Sequence, residues 1–218
     1  MKAVRRLFAR LPIARSSRAY AFGLQHLHVP PEAWVLDIGA GQGYGSAYLS
    51  RVLPQATVVG LDIAFECLRP ERLSPGPRPP HFVQGDARAL PFRAEAFDLV
   101  TLVMTFHCLP QPRQVLSEAY RVLRPGGALL LADVDGRHWM RRPFEWVERA
   151  FISPHTRVYP PETWRAWARN AGFARVAFYK RPSRRGGFLL WMVAHKAEAP
   201  EPGSPEAQPE RAKELRSA

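Results

Sequence analysis

Three aspartates and three glycines are the residues whose types and spacing could do chemistry. The stretch VLDIGAGQGYG, Val35 to Gly45, sets Asp37 ahead of Gly39, Gly41 and Gly43. Glycines let a loop's backbone approach a ligand without interference from a Cβ. Such loops often hold phosphates, but the third glycine of a dinucleotide loop falls on Tyr44 in one register and on Ser46 in the other. No Gly-Lys-Ser or Gly-Lys-Thr follows, so a P-loop is excluded as well. An acid at the strand end repels a pyrophosphate and suits a ligand bearing an ammonium group. S-adenosylmethionine (SAM) has an amino acid and a sulfonium and no phosphate, and it fits that asymmetry.

Two further acids extend the pattern. Asp62 ends the run VVGLD, 23 residues past Gly39, where a ribose-reading carboxylate belongs. An acid there can accept both ribose hydroxyls, each charge-assisted bond worth roughly 1.5–3 kcal/mol. Asp86, in VQGDARALPF, ends a third run and can accept from an adenine amino group. Any one of these aspartates alone could be a helix cap. In register with a glycine loop they read together as an adenosine site.

The elements that must position them follow a regular rhythm. WVLDIGA, ATVVGLDI, HFVQGD, FDLVTLVM and ALLLADV are β-branched and nearly continuously apolar, as strands buried on both faces of a parallel sheet are. Between them, GSAYLSRVL stops at Pro54, and PRQVLSEAYRV opens on Pro112 and precedes Gly126 and Gly127, with the RPGG stretch read as a turn. Strand and helix in alternation predict right-handed βαβ units and a Rossmann-like, doubly wound α/β domain. ARVAFYKR and GFLLWMVAHK are too closely joined for a parallel crossover, so the sheet ends in an antiparallel hairpin.

Composition bounds the rest. A chain of 218 residues with 46% hydrophobic residues is one globular domain. No apolar run reaches the roughly 20 residues of a membrane span. Two cysteines, Cys67 and Cys108, lack metal-ligand spacing and indicate a reducing, cytoplasmic setting with neither disulfide framework nor metal. The net charge is +12, and because residues 197–218 are acidic the remainder carries +14. That charge suits nucleic acid, an anionic membrane or acidic substrates, but the bias of arginine, proline and alanine also fits GC-rich coding. Residues 1–30 form a basic arm, read as a lid helix, although a targeting or membrane-surface segment would look similar. The domain runs over 31–196, with a helical aromatic insert at 135–170, and 197–218 reads as a disordered tail.

Together, VLDIGAGQG, VVGLDIA, GDARALPF, FDLVTLVMTFHCL and EAYRVLRPGGALLLAD resemble the successive motifs of the class I SAM-dependent methyltransferases, over about residues 34–134. Within that family they most resemble the small-molecule branch with ubiquinone/menaquinone-type enzymes (methyltransferase type 11). The resemblance implies a seven-stranded sheet with an antiparallel seventh strand. It also implies that Asp37, Gly39 and Gly41 hold the methionine moiety, that Asp62 takes the ribose and that Ile63 packs on the adenine. Asp86 and Ala87 would read the adenine edge, and Val103 and Met104 would face the sulfonium.

The acceptor side is built from less specific residues. His107, after the fourth strand, is the candidate general base if the acceptor must lose a proton. Tyr20 on the N-terminal arm and Trp139 and Trp146 in the aromatic insert are the candidate substrate contacts, whereas Trp164 and Trp167 read as core of an amphipathic helix. The expected activity is methyl transfer from SAM to a small organic molecule. Two alternatives are an RNA methyltransferase, disfavoured because TFHC stands where an N-P-P-Y-type tetrad would be, and a non-catalytic SAM-fold partner subunit. Oligomeric state is not legible.

Overall fold

A computed structural model describes residues 17–68, 73–182 and 187–198. The arm before Ser17 and the tail beyond Glu198 lie outside the described residues. Seven strands form one sheet: β1 (Trp34–Ile38), β2 (Thr57–Asp62), β3 (His81–Gln84), β4 (Phe97–Val103), β5 (Leu123–Val134), β6 (Arg175–Tyr179) and β7 (Leu189–His195). Their order is β3-β2-β1-β4-β5-β7-β6. All pairs from β3 to β5 are parallel, and β7 runs antiparallel to both β5 and β6. The doubly wound sheet and its antiparallel hairpin are as expected.

Alternation along the strands explains why the sheet is covered on both faces. Leu36, Ile38, Val100, Leu102, Leu129 and Leu131 point into one core. Val35, Leu99, Val103, Leu130 and Ala132 point into the other. Such double burial makes strands read as continuous apolar runs. Helices α3 (Pro112–Val122) and α5 (Pro161–Ala171) cover the first face, α3 through Val115, Leu116, Ala119 and Val122 and α5 through Trp164 and Ala168. Helices α1 (Ser17–Leu24) and α2 (Tyr44–Val52) cover the second through Ala19, Tyr20 and Leu49. The indole Nε1 of Trp191 on β7 donates to the Ala19 carbonyl at 2.8 Å and pins α1 to the sheet. Helix α4 (Arg141–Phe151) lies between β5 and α5 in sequence and has no fully buried residue.

One local expectation changes. RPGG, read as a turn, is taken up into β5: Leu123 pairs with Phe97, the register shifts, and pairing resumes at Ala128 opposite Leu99. The intervening residues bulge out, with Gly126 at φ +77°. After β2 the chain makes a single 3₁₀ turn, Phe65–Cys67, and residues 69–72 lie outside the described ones.

Candidate active site

The chemistry gathers at the C-terminal ends of β1, β2 and β4, the edge at which open α/β sheets bind ligands. Asp37 is the second-last residue of β1 and lies opposite Thr101 of β4. It shares the α1/α2 face, which is why three separate elements reach it. The Tyr20 phenol of α1 donates to Oδ1 at 2.8 Å, the Thr101 hydroxyl to Oδ1 at 2.8 Å, and the Ser46 hydroxyl of α2 to Oδ2 at 2.7 Å. Asp37 is only 1% exposed. Burial raises its carboxyl above the usual carboxylate range, against the opposite pull of the three hydroxyls, and the Asp62 charge adds to the rise. Burial, followed by the Asp37 charge, pushes the Tyr20 phenol well above its usual value, so it stays a donor. Tyr20, expected at the substrate, is instead buried beneath the glycine loop as a partner of its acid.

The loop itself needs glycine. Gly39, Gly41 and Gly43 all have positive φ, at +76°, +54° and +88°. A Cβ on Gly39 would run into the Thr105 side chain, whereas at Gly41 it would meet, among the described residues, only the Gly39 carbonyl oxygen, at 4.0 Å. The loop is therefore packed from behind at Gly39 and open at Gly41.

Asp62, the last residue of β2, clasps this loop. Its Oδ2 accepts from the Gly41 amide at 2.7 Å and its Oδ1 from the Ala64 amide at 2.8 Å. Beside it Ile63 is 64% exposed, an apolar side chain unpacked at the ligand edge. The cleft bounded by Ala40, Gly41, Asp62 and Phe82 measures about 10 Å³ in this state. Asp86 is held by Arg88, whose Nε and Nη2 reach its two oxygens at 2.6–3.1 Å, and these hydrogen bonds lower its carboxyl pKa. Ala87 and Val103 are buried. Met104 has φ +56°, and its amide donates to the Ala132 carbonyl at 2.8 Å, so the chain turns sharply on leaving β4. The Thr105 hydroxyl then reaches back toward the Gly39 carbonyl.

His107 lies on the other side of this turn. Its Nδ1 is 2.6 Å from Oδ1 of Asp133, and Oδ2 of Asp133 accepts from its backbone amide at 3.0 Å. Its Nε2 is 3.8 Å from Oε2 of Glu148, and the Phe144 ring packs edge-on against it. The side chain is 4% exposed. Burial opposes the imidazolium, yet Asp133 outweighs it, with Cys108 and Glu148 adding to the effect, and holds the pKa well above the usual histidine value. Both ring nitrogens face carboxylates, so His107 is not poised to take a proton from an acceptor in solution.

Trp139 and Trp146, expected as pocket walls, are 75% and 70% exposed. For Trp146 the reason is the orientation of α4, which turns Phe144 and Glu148 inward and Arg142, Trp146 and Arg149 outward, whereas Trp139 precedes the helix and stacks on His138. Neither tryptophan lines the nearby open cavity of about 640 Å³, whose walls include Arg113, Arg141, Arg157, Tyr159 and Trp167. Sequence reasoning missed Ser46, Thr101 and Thr105, because a hydroxyl residue at a strand end carries no signal until its neighbours are known. It missed Asp133 and Glu148 for the same reason.

A family described as "Methyltransferase domain" matches residues 36–131. The chain is 44% identical over 104 residues to a phthiotriol/phenolphthiotriol dimycocerosates methyltransferase of Mycobacterium ulcerans, an alignment spanning 46% of this chain and 37% of that protein. It is 36% identical over 168 residues to a malonyl-[acyl-carrier protein] O-methyltransferase of Methylococcus capsulatus, spanning 75% of this chain and 60% of that one. The alignments thus span less than two thirds of the length of these relatives. A SAM-dependent methyltransferase from Thermotoga maritima superimposes with a TM-score of 0.64 at 22% identity, over 84% of this chain and 91% of that chain, which bears on the fold. Together with the acid-and-glycine loop and the 3-2-1-4-5-7-6 sheet, these matches make residues 36–131 similar to the methyltransferase domain of the type 11 branch, on a fold shared with SAM-dependent methyltransferases.

Proposed function

We propose that the protein transfers the methyl group of SAM to a small organic acceptor held near the ends of β4 and β5. The observation that carries this reading is the pairing of Asp62 with the Gly41 amide, beside the exposed Ile63 and the open flank of Gly41. SAM, when bound, supplies a methyl group on a sulfonium, an intrinsically good leaving group. The residues of this chain then divide the remaining tasks.

Asp62 exchanges the Gly41 amide for ribose hydroxyls, which opens the narrow cleft, and Ile63 covers one adenine face. Asp37, with both oxygens already taken by hydroxyls, acts on the ligand's ammonium through its charge in a low-dielectric setting. Asp86 must share its carboxylate between Arg88 and the adenine edge. The turn at Met104 and Thr105 fixes the loop against β4, and in-line displacement then depends on positioning and exclusion of water more than on a dedicated base. His107 contributes by holding the segment after β4 through Asp133.

The names of the relatives support a small acceptor, and the arginine-lined cavity suits one that bears an acid group. Incubation with methyl-labelled SAM and a panel of carboxylic acids, phenols and amines tests the reading. Label transfer to one class is expected; SAM binding with transfer only to RNA, accompanied by a steep salt dependence, would reverse the acceptor assignment. Among the described residues no helix is long and apolar enough to cross a membrane.

A further inference from the structure

On the α3/α5 side of the sheet, behind the turn that follows β4, we infer that His107, Cys108 and Glu148 bind one divalent metal ion of the zinc class. Nε2 of His107 is 3.8 Å from Oε2 of Glu148, and the Cys108 sulfur is 3.9 Å from the same oxygen. The three ligand atoms lie within 4.8 Å of one another. The carboxylate is too far from the imidazole for a hydrogen bond. Ligands bound to a tetrahedral ion at 2.0–2.3 Å are themselves roughly 3.3–3.6 Å apart, so the two Glu148 distances need to shorten by only a few tenths of an ångström, while His107 and Cys108, whose ligand atoms lie within 4.8 Å of each other, close by up to about 1.2 Å.

The charge of Glu148 makes the same point. Its side chain is 14% exposed, in a chain with 31 Lys and Arg. Among the described residues, none of those cations pairs with it. The adjacent Arg149 instead donates to the Thr156 carbonyl at 2.7 Å. A shielded carboxylate whose partners are a long thiol contact and an imidazole 3.8 Å away gains short, strong ligation when a metal ion enters between the three groups.

The surroundings are those of a ligating histidine. Asp133, 2.6 Å from Nδ1, orients the ring so that Nε2 points at Glu148, the arrangement in which a carboxylate backs a metal-bound imidazole. The buried Thr156 hydroxyl stands 3.8 Å from the Cys108 sulfur and walls the other side. Thiolate, imidazole and carboxylate together suit zinc rather than calcium or magnesium. Binding replaces the thiol proton, and any proton on Nε2, with the ion; these protons pass to solvent. Three protein ligands leave a fourth position for water or for a donor atom of an acceptor.

Metal-stripped protein titrated with Co²⁺ is the test. One ion per chain is expected, with tetrahedral ligand-field bands and a thiolate-to-cobalt charge-transfer band. Cys108→Ser abolishes that charge-transfer band. Glu148→Gln, which removes no short hydrogen bond and so keeps the fold, weakens binding by roughly tenfold or more, and Asp133→Asn weakens it by roughly 10–100-fold. SAM binding by the same metal-free protein is measured in parallel and persists, which separates this inference from the proposed activity. No Co²⁺ or Zn²⁺ bound at micromolar concentration, or binding unaltered by both Cys108→Ser and Glu148→Gln, overturns the assignment.

Discussion

The Tyr20 phenol and the Asp37 carboxylate are joined at 2.8 Å, so a helix upstream of the sheet is tied to the acid that opens the glycine loop. The same helix is fastened at its other side by Trp191. The order of the loop therefore depends on α1, and the proposed adenosine site at one edge is linked through that helix to packing on β7.

Tyr20→Phe removes one of three hydroxyls from a buried carboxylate. The expected cost is about 1–3 kcal/mol. For a domain of this size that is a fall in the thermal midpoint of roughly 2–12 °C. Thermal unfolding of the two proteins side by side measures it, and an unchanged midpoint would show that the bond contributes nothing.

Asp37→Asn tests the raised carboxyl pKa. A carboxyl whose folded pKa lies above its unfolded value contributes stability below the unfolded pKa and loses it as pH rises through the folded value. The wild-type protein should therefore lose stability, relative to the asparagine variant, as pH climbs from below 4 through the elevated value, with no further change above it. Midpoints of both proteins across an acid-to-neutral pH series give the difference; a wild-type midpoint that gains on that of the variant as pH rises contradicts the assignment. The same variant should bind SAM roughly tenfold more weakly, because the ammonium loses a nearby charge.

Ile63→Ala separates stability from binding. The side chain is mostly exposed, so its removal should leave the midpoint within about 1 °C while weakening SAM binding by roughly three- to tenfold. Equal affinity in the two proteins would place the adenine elsewhere.

Gly39→Ala combines a positive φ with a collision against Thr105. A loss of about 2 kcal/mol or more is expected. Pairing it with Thr105→Ser, which removes the Cγ2 methyl, should recover only part of that loss, since the backbone strain stays. Full recovery would assign the whole effect to the methyl contact.

Much of this was legible in the chain because its signals are local. The apolar runs marked all seven strands, Pro112 opened α3, and the short link between β6 and β7 dictated their antiparallel pairing. Asp37, Gly41 and Asp62 stood out because residue type and spacing both bear on the ligand. What failed to show were relationships across the sheet. Asp37 and Thr101 face each other only because β1 and β4 are neighbours, and no spacing in the chain says so. Trp139 and Trp146 carried an aromatic composition but no orientation, and α4 turned Trp146 outward. His107 looked like an isolated base until the fold brought Asp133 and Glu148 to its two nitrogens.

Calorimetric titration of SAM and of NAD into the wild-type protein and into Asp62→Ala tests the central claim most directly. The account predicts one SAM site, no NAD binding, and an affinity for SAM that falls by roughly tenfold to a hundredfold when Asp62 is removed. NAD binding without SAM binding, or SAM affinity indifferent to Asp62, would contradict it.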